Sequence, residues 1–430
     1  MPRSPSYLLP CVAGLACLSL AVLLLYKVDD FAAQTKTVVG HNLQPTPWHL
    51  FPPKTFSEES RHSRIYKILH CSYLTCSSYA ADTKRHRYEP DSTAHKCPEF
   101  FRWIHQDLEP WARTGISAAH LKEARKFAAF RAVIVGGRLF VDLYYACVQS
   151  RAAFTIWGLL QLLRRYPGMV PDVDMVFDCM DKPSINRTEH GSLPLPLFRY
   201  CTTQSHFDIP FPDWSFWGWP ETNLNPWDEE FREIKRGSQR TSWTKKHPRA
   251  YWKGNPDVDS PVRTQLLKCN HSRLWGAQIW RQNWGEEAKG GYENSKLSNQ
   301  CNSRYKIYAE GYAWSARAIA KGGQEFMESL SMNRIYDYMF HLINEYSKLQ
   351  KFKPVRPSSS LEVCAESLLC LADPKQRKLL ERSTAHPSPS PPCSLQPADS
   401  DLLKNWVQHR RKTIKDIEDM KLIPYKDIKS

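Results

Sequence analysis

The chain has 430 residues, of which 42% are hydrophobic, and it carries a formal net charge of +15. This length allows two globular lobes with extensions, and the sequence shows no internal repeat. Its basic residues lie in short scattered clusters without an RRM, KH or zinc-finger pattern, so the charge by itself does not indicate a nucleic-acid or other polyanion binder.

The N-terminal region contains an almost unbroken apolar run from Tyr7 to Tyr26. At a rise of about 1.5 Å per residue, such a helix crosses a hydrocarbon core of about 30 Å. A cleaved signal peptide is the alternative, but the run is longer than the usual apolar region and no clear cleavage site follows it. We predict a cytosolic tail at 1–6, an uncleaved anchor at 7–26 and a lumenal stem at 27–96.

The body begins near Cys97 and alternates between helical and extended patterns. A capped helix is predicted from Ser117 to Phe127, and a hairpin from Phe130 to Val141 that turns at two glycines. The remaining predicted elements are Phe154 to Arg165 (helix), Asp172 to Asp178 (strand), Leu195 to Tyr200, Ala250 to Lys253, Pro261 to Cys269 and Tyr305 to Tyr308. This alternation predicts an α/β body of two lobes.

Two further features favour a body in the secretory lumen. Asn186 and Asn270 each begin an N-glycosylation sequon, which is used only there. Eleven of the 13 cysteines follow the apolar run, and the spacings of Cys71 to Cys76 and of Cys364 to Cys370 could close short disulfide loops. Zinc is the competing interpretation, but neither pair has the CxxC spacing, so we predict no metal site.

The stretch from Ala250 to Arg263 predicts a strand, a loop containing glycine, and a helix with Ser260 as its N-cap and Pro261 at its first position. The N–H groups of a helix N-terminus, together with the Arg263 guanidinium, suit a phosphate or diphosphate. The alternative is an ordinary strand-loop-helix connection with a surface arginine.

Asp181 follows the predicted strand Asp172 to Asp178, at the edge where open α/β sheets place their binding crevice. A carboxylate there can act as the base in sugar transfer with inversion, although an aspartate that forms a turn before a proline is the alternative. The aromatic run from Phe207 to Pro220 predicts a carbohydrate pocket in which Asp213 and Ser215 bind hydroxyls. Aromatic packing at a lobe junction would give the same pattern.

Five segments carry a family resemblance: Cys97 to Trp111, Phe154 to Leu163, Met175 to Pro183, Pro212 to Trp217 and Ala250 to Arg263. They resemble, in order, the plant branch of the CAP-ten domain (capsule-associated) family, the Rumi-like protein O-glucosyltransferases of glycosyltransferase family ninety. The resemblance spans 97–351. It implies two GT-B-like Rossmann lobes, an acceptor lobe at about 97–190 and a donor lobe at about 191–351, followed by a Pro-rich linker and basic tail at 352–430.

The resemblance further implies an inverting enzyme that needs no metal or other cofactor and uses UDP-glucose or UDP-xylose on a glycan or glycoprotein acceptor. We expect it in the Golgi or endoplasmic reticulum membrane as a single-pass type II protein, with no nucleic-acid partner. The predicted site residues are Asp181 as catalytic base, Lys253, Gly254, Asn255 and Arg263 around the donor, and Asp213, Trp214, Phe216 and Trp217 as a wall around the sugars.

The chain departs from the family pattern after Ser315. There it continues directly into Ala316 to Phe326, which resembles a late helix of the family. About two βα units, roughly 60 residues, are missing. The resemblance places a second diphosphate-binding cation and the disulfide partner of Cys301 in the missing part. We therefore predict a truncated donor lobe with weak or no transfer activity, the alternative being an inactive glycan- or partner-binding relative or splice variant.

Overall fold

The computed structural model describes residues 76, 95–258, 261–270, 275–307, 309 and 330–418. The predicted tail and anchor, nearly all of the stem, Ser260 and the junction after Ser315 lie outside these residues. Within them, none of the helices combines the length and the apolar character that a membrane span requires.

The described residues form two sheets with helices around them. The strands are β1 (Phe130–Val135), β2 (Arg138–Leu143), β3 (Val173–Phe177), β4 (Leu197–Arg199), β5 (Ile209–Pro210), β6 (His247–Gly254), β7 (Ala277–Arg281), β8 (Ser303–Lys306) and β9 (Leu361–Val363). The helices are α1 (Trp103–Leu108), α2 (Ala118–Ala124), α3 (Arg151–Arg165), α4 (Trp227–Gln239), α5 (Pro261–Leu267), α6 (Trp284–Lys289), α7 (Met332–Leu349), α8 (Ala365–Leu371), α9 (Pro374–Arg382) and α10 (Ser400–Glu418).

Local signals account for many of these elements. The hydroxyl of Ser117 caps α2 by accepting from the N–H of His120, and Ser331 caps α7 in the same way. The hairpin of β1 and β2 turns at Gly136 and Gly137, whose φ angles of 59° and 74° are left-handed. Only glycine adopts two such conformations in succession without steric cost, so the predicted hairpin is confirmed.

The first sheet has six strands in the order β5-β4-β3-β1-β2-β9. Strands β3, β4 and β5 are parallel, whereas β1 pairs antiparallel with both β2 and β3. This is a mixed sheet and not the all-parallel sheet of a Rossmann lobe. The α/β prediction is therefore met at the level of class, and the carboxyl ends of the three parallel strands meet at one edge.

One core supports the first sheet. Helix α3 is buried along almost its whole length, so it lies inside the lobe rather than on its surface. The rings of Phe130, Phe177 and Phe198 stack across three neighbouring strands, with 5.0 Å between successive centroids. Burial of side chains of this size stabilises a fold by roughly 1.5–3 kcal/mol each. The site described below rests on this frame.

The C-terminal residues fold onto the first sheet, which differs from the predicted linker. Strand β9 pairs with β2, and the N–H of Ser388 donates to the carbonyl of Arg165 at 2.9 Å. Disulfides join Cys76 to Cys364 and Cys97 to Cys393. The two short loops predicted from cysteine spacing are therefore wrong, because Cys76 and Cys364 pair with each other.

The second sheet is much smaller. Its three strands are parallel in the order β7-β6-β8, and its buried core consists of Trp252, Ala277 and Ile279. Helix α4 packs against both lobes, since Trp227 lies 5.8 Å from the ring of Phe216 and Gly237 contacts Ser298. The first lobe includes strands β4 and β5, at 197–210, and helix α7, at 332–349. The described part of the second lobe is therefore close to 247–307.

Candidate active site

Two acidic residues of the predicted site lie where parallel strands of the first sheet end. Asp181 follows β3, and Asp213 follows β5. The carboxyl ends of parallel strands are the usual place for a ligand in an α/β sheet. The sheet therefore brings together two side chains that are 32 positions apart in the sequence.

Arg151 orients Asp181. Its Nη1 donates to the carboxylate Oδ1 of Asp181 at 2.6 Å and to the carbonyl of Cys179 at 3.0 Å, while its guanidinium lies 4.3 Å from the ring centroid of Trp214. The Arg151 side chain is 9% exposed, whereas that of Asp181 is 42% exposed. The carboxylate is thus held from the protein side and open on the other, as a base that must meet an external hydroxyl needs to be.

A buried polar network fixes the loop that carries Asp181. The carboxylate of Asp178 accepts from the N–H of Cys179 at 2.8 Å, from the Tyr145 hydroxyl and from the Arg199 guanidinium. A disulfide between Cys147 and Cys179 ties the same loop to the segment before α3. The loop that carries Asp181 and the segment that leads into Arg151 are both held in place. The distance between the two side chains is therefore fixed by the surrounding protein.

Asp213 is the second carboxylate of the site. It caps the 3-10 turn Trp214–Trp217 by accepting from the N–H of Ser215 at 2.8 Å. Burial raises the pKa of Asp213 to about 6, against the opposing effects of the hydrogen bonds from Ser215 and the charge of Arg151. The neighbouring charge of Asp181 raises this pKa further. Asp213 can therefore exchange a proton near neutral pH.

The predicted aromatic wall divides into buried and partly exposed members. Trp217 is fully buried, its ring packs on Gly158 of α3, and its indole N–H donates to the Tyr336 hydroxyl at 2.9 Å. Trp214 is 1% exposed and lies between Arg151 and Tyr200. Sugars cannot stack on these two rings without opening the core. Phe216 is partly exposed, so it is the ring of the wall that a ligand could reach.

The predicted donor loop lies at the carboxyl end of β6. Strand β6 is central in the second sheet, with β7 on one side and β8 on the other, so the chain reverses its direction of winding there. Such a switch point opens a crevice between neighbouring loops. Helix α5 begins at Pro261, as predicted, and Arg263 Nη1 donates to the carbonyl of Asn255 at 2.9 Å. Gly254, Asn255 and Arg263 are therefore together.

Gly254 is required by close packing, because a Cβ at this position would lie 2.6 Å from the ring of Trp252. Lys253 is already engaged by other groups. Its ammonium is 2.5 Å from Glu287 Oε1 and 2.9 Å from the carbonyl of Asn294, and its side chain is 14% exposed. Lys253 thus fastens β6 to α6 in this structure, and a phosphate contact would require it to leave that pair.

Hydrogen bonds link the segment before α3 to the loop at 219–224, and link that loop to the residues of the second sheet region. The N–H and hydroxyl of Ser150, next to Arg151, donate to the carboxylate of Glu221 at 3.1 and 3.0 Å. Asn223 Nδ2 donates to the carbonyl of Gly291 in the second lobe at 2.8 Å. Burial raises the pKa of the adjacent Tyr292. The negative charges of Glu287 and Glu221 raise this pKa further, and Glu287 is also the ion-pair partner of Lys253.

This junction also holds unusual backbone conformations. Among the described residues, the non-glycine positions with positive φ are Gln149 at 60°, Asn223 at 56° and Tyr292 at 63°. All three lie where the segment before α3 meets the loops at 219–224 and 290–292. Such conformations cost roughly 1–3 kcal/mol each and tend to cluster at functional sites. The junction between these three segments thus contains three left-handed, non-glycine residues.

The sequence analysis missed Arg151 and the junction residues. Arg151 is the first residue of α3, three positions before the predicted start. A cation at a helix N-terminus is unfavourable because of the helix dipole, so an arginine there signals a nearby carboxylate. No comparable signal in the sequence points to Glu221 or Tyr292, whose roles depend on the contact between lobes.

The predicted sequons differ in their surroundings. Asn186 Oδ1 accepts from the N–H and hydroxyl of the exposed Thr188 at 2.9 and 2.8 Å. Asn270 is exposed, and its Oδ1 accepts from the N–H of Ile279 at 3.0 Å. In the described part of the chain, the cysteine and histidine group with metal-ligand spacing is Cys97, His341 and Cys393, of which the two cysteines form a disulfide.

The chain resembles known transferases in sequence. A family model described as glycosyl transferase family 90 matches residues 92–318 and 315–421. Protein O-glucosyltransferase 1 of Mus musculus and of Homo sapiens are each 28% identical over 247 residues, which are 54% of this chain and 60% of the relative. O-glucosyltransferase rumi of Drosophila melanogaster is 24% identical over 226 residues, 50% of this chain and 53% of the relative. The chain thus spans little more than half the length of these relatives.

Proposed function

The chain belongs to glycosyl transferase family 90, and on this premise we propose that its cleft is built to transfer a sugar from UDP-glucose or UDP-xylose to a hydroxyl of a protein or glycan. The observation that carries the proposal is the Asp181 carboxylate, which Arg151 holds on one side and which is open on the other. The named relatives favour a protein acceptor.

The proposed reaction inverts the anomeric carbon. The acceptor hydroxyl hydrogen-bonds to Asp181, which takes its proton as the oxygen attacks the carbon and the bond to the diphosphate breaks. The hydrogen bond from Arg151 keeps the carboxylate aimed at the cleft. The loop of Gly254 and Asn255, together with Arg263, receives the negative charge that develops on the departing diphosphate, without a metal.

We further propose that the donor half of this site is incomplete. The family match falls into two pieces that meet at 315–318, which supports a loss of βα units at that point. Among the described strands, β8 lies at an edge of its sheet, with Tyr305 54% exposed on it, and Cys301 is a buried free thiol. Loss of one charge-stabilising contact typically costs about 10²–10³ in rate, so we expect very slow transfer.

The second candidate function is that of a non-catalytic relative that binds a glycan or a protein partner. The short second sheet favours this function, because the first lobe has a six-stranded sheet that could still bind a ligand, whereas the proposed donor lobe has only three described strands. For either function we propose the lumen of the endoplasmic reticulum or Golgi and a type II anchor. The three disulfides of the described residues support an oxidising compartment.

The test uses the full chain in detergent, with isothermal titration of UDP and with UDP-glucose and UDP-xylose in hydrolysis and transfer assays. We expect weak UDP binding and slow turnover that Asp181→Asn abolishes and the distant control Asp401→Asn leaves intact. Turnover at the rate of an intact relative would contradict the incomplete donor lobe. Residual turnover that survives Asp181→Asn would contradict the proposed base, and glycan binding without any UDP binding would favour the second candidate.

A further inference from the structure

One surface beside β8 concentrates cationic and aromatic side chains. We call it the basic aromatic surface and define it as Trp243, Lys245, Lys246, Arg249, Arg304, Tyr305 and Lys306. The sequence has no aspartate or glutamate between Glu233 and Asp257, nor between Glu293 and Glu310. The two segments that form the surface therefore bring only positive charge to it, and the parallel pairing of β6 with β8 places them side by side.

The aromatic residues of this surface are fixed in place. Trp243 and Tyr305 are 55% and 54% exposed, and their rings meet edge to face at 85° with 5.7 Å between centroids. Arg304 holds the turn that carries Trp243, because its guanidinium donates to the carbonyl of Trp243 at 2.9 Å and to that of Thr244. Two half-exposed rings are thus held in place before any ligand arrives, which lowers the entropy cost of binding.

The cations of this surface lack acidic partners, unlike many others in the molecule. Elsewhere in the second lobe, Arg281 pairs with Asp257 and Lys296 with Glu293. Within the described residues, no carboxylate lies at ion-pair distance from any of the five cations of the basic aromatic surface. Burial lowers the pKa of Lys306, and the charge of Lys246 lowers it further. This repulsion is relieved when an anion binds between the two side chains.

The basic aromatic surface is separate from the donor loop. Strand β6 runs from His247 to Gly254, and at about 3.3 Å per residue its two ends are about 23 Å apart. Trp243, Lys245 and Lys246 precede the His247 end, whereas Tyr305 and Lys306 pair with Ala250 and Tyr251 near the middle of the strand. The donor loop lies at the Gly254 end. Lys245 and Lys246 are therefore separated by the length of β6 from a nucleoside diphosphate bound there.

We infer that the basic aromatic surface binds an acidic polysaccharide, a polymer whose sugar rings carry carboxylates. The faces of Trp243 and Tyr305 suit the C–H faces of pyranose rings, and the surrounding ammonium and guanidinium groups suit uronate carboxylates. The choice of a sugar polymer over other polyanions rests on the proposed function and gives the class of glycan that would be its acceptor or ligand. A second copy of this chain does not fit, because like charges would face each other.

The test measures binding of the full chain to four fluorescently labelled decamers by anisotropy. They are oligogalacturonate, its fully methyl-esterified form, oligoglutamate and oligothymidylate. We expect oligogalacturonate to bind at least tenfold more tightly than each of the others, with an affinity that falls as NaCl is raised. Equal binding of the three polyanions would reduce the surface to a non-specific charge effect. Tightest binding of oligothymidylate or oligoglutamate would assign it to nucleic acid or to an acidic protein.

Substitutions in the basic aromatic surface test whether oligogalacturonate binds there. Lys245→Gln/Lys246→Gln should weaken oligogalacturonate at least tenfold, while the control Arg411→Gln/Lys412→Gln, with exposed side chains on α10, leaves it unchanged. Trp243→Ala should weaken oligogalacturonate more than oligoglutamate, because only the sugar polymer stacks on the ring. If every variant of the basic aromatic surface keeps the parent's melting temperature and binds oligogalacturonate as tightly as the parent, the inference is overturned. UDP titration of the same samples is independent of this surface, so a failed donor site and a failed glycan surface are distinguishable.

Discussion

The two lobes differ in how completely their sheets are covered. The first sheet has six strands, a buried central helix and a core that includes four fully buried tryptophans, Trp111, Trp157, Trp214 and Trp217. The second has three parallel strands around Trp252, Ala277 and Ile279, with Trp280 and Tyr305 about half exposed on its outer strands. Parallel sheets normally have both faces covered. The second sheet therefore has much less burial to stabilise it.

This difference separates the two halves of the candidate site. Asp181 stands on a frame whose loop is held by a disulfide and buried ion pairs, so its position is reproducible without a ligand. The predicted donor loop depends on a sheet of three described strands and on the hydrogen bond between Arg263 and Asn255. Regions with few buried contacts open at lower free energy than the global fold. We expect the donor half to open first.

The largest expected effect comes from truncating the two cores. Trp157→Ala removes a fully buried ring whose N–H donates to Ser383, and should cost about 3–5 kcal/mol of global stability. Ile279→Ala should cost about 2–5 kcal/mol, but only in the second lobe. Hydrogen exchange by mass spectrometry separates these results. Loss of protection in the first lobe by Ile279→Ala would show that the lobes unfold as one unit.

A matched pair of glycine substitutions compares the same clash in both lobes. A Cβ at Gly158 would lie 2.5 Å from the ring of Trp217, and one at Gly254 would lie 2.6 Å from that of Trp252. Overpacking of a closed core costs about 1–3 kcal/mol, so Gly158→Ala should lower the melting temperature clearly. Gly254→Ala should lower it less, since Trp252 lies in a smaller core. If the two changes proved equal in urea unfolding, the cores would be equally rigid.

Breaking one ion pair in each lobe should change stability by less than truncating the cores. Arg151→Gln leaves Asp181 without its buried partner and should cost about 1–3 kcal/mol, together with loss of any residual turnover. Arg281→Gln breaks the exposed pair with Asp257, which should change stability by less than about 1 kcal/mol. Denaturant titration gives both values. Arg151→Lys retains the charge but loses the planar guanidinium that donates to both Asp181 and Cys179. Full activity in that variant would argue against orientation of Asp181 by the guanidinium.

The smallest predicted effect is a pH dependence at Asp213. Because its pKa is raised to about 6 in the fold, the folded protein binds more protons than the unfolded chain between about pH 4 and pH 6. This group therefore lowers stability as the pH rises through that window. In Asp213→Asn the contribution is absent. The melting temperature of the variant relative to the parent should increase from pH 4 to pH 7, and a constant difference would mean that Asp213 titrates normally.

Short-range patterns predicted much of the local structure. The glycine turn of the β1–β2 hairpin, the serine cap of α2 and the start of α5 at Pro261 were all evident from neighbouring residues. The same holds for the position of Asp181 after a strand. These features depend on backbone conformation and on side chains a few residues apart, which any stretch of sequence contains in full.

The tertiary structure decided the rest, because it depends on which distant segments meet. Cysteine spacing could not pair Cys76 with Cys364, which are 288 residues apart. Nor could the aromatic run by itself show that Trp217 is fully buried in the core while Phe216 stays partly exposed. Arg151 reaches Asp181 only because the first turn of α3 lies beside the loop that follows β3. The sequence by itself therefore determined the elements and the candidate base, and long-range packing decided what surrounds that base.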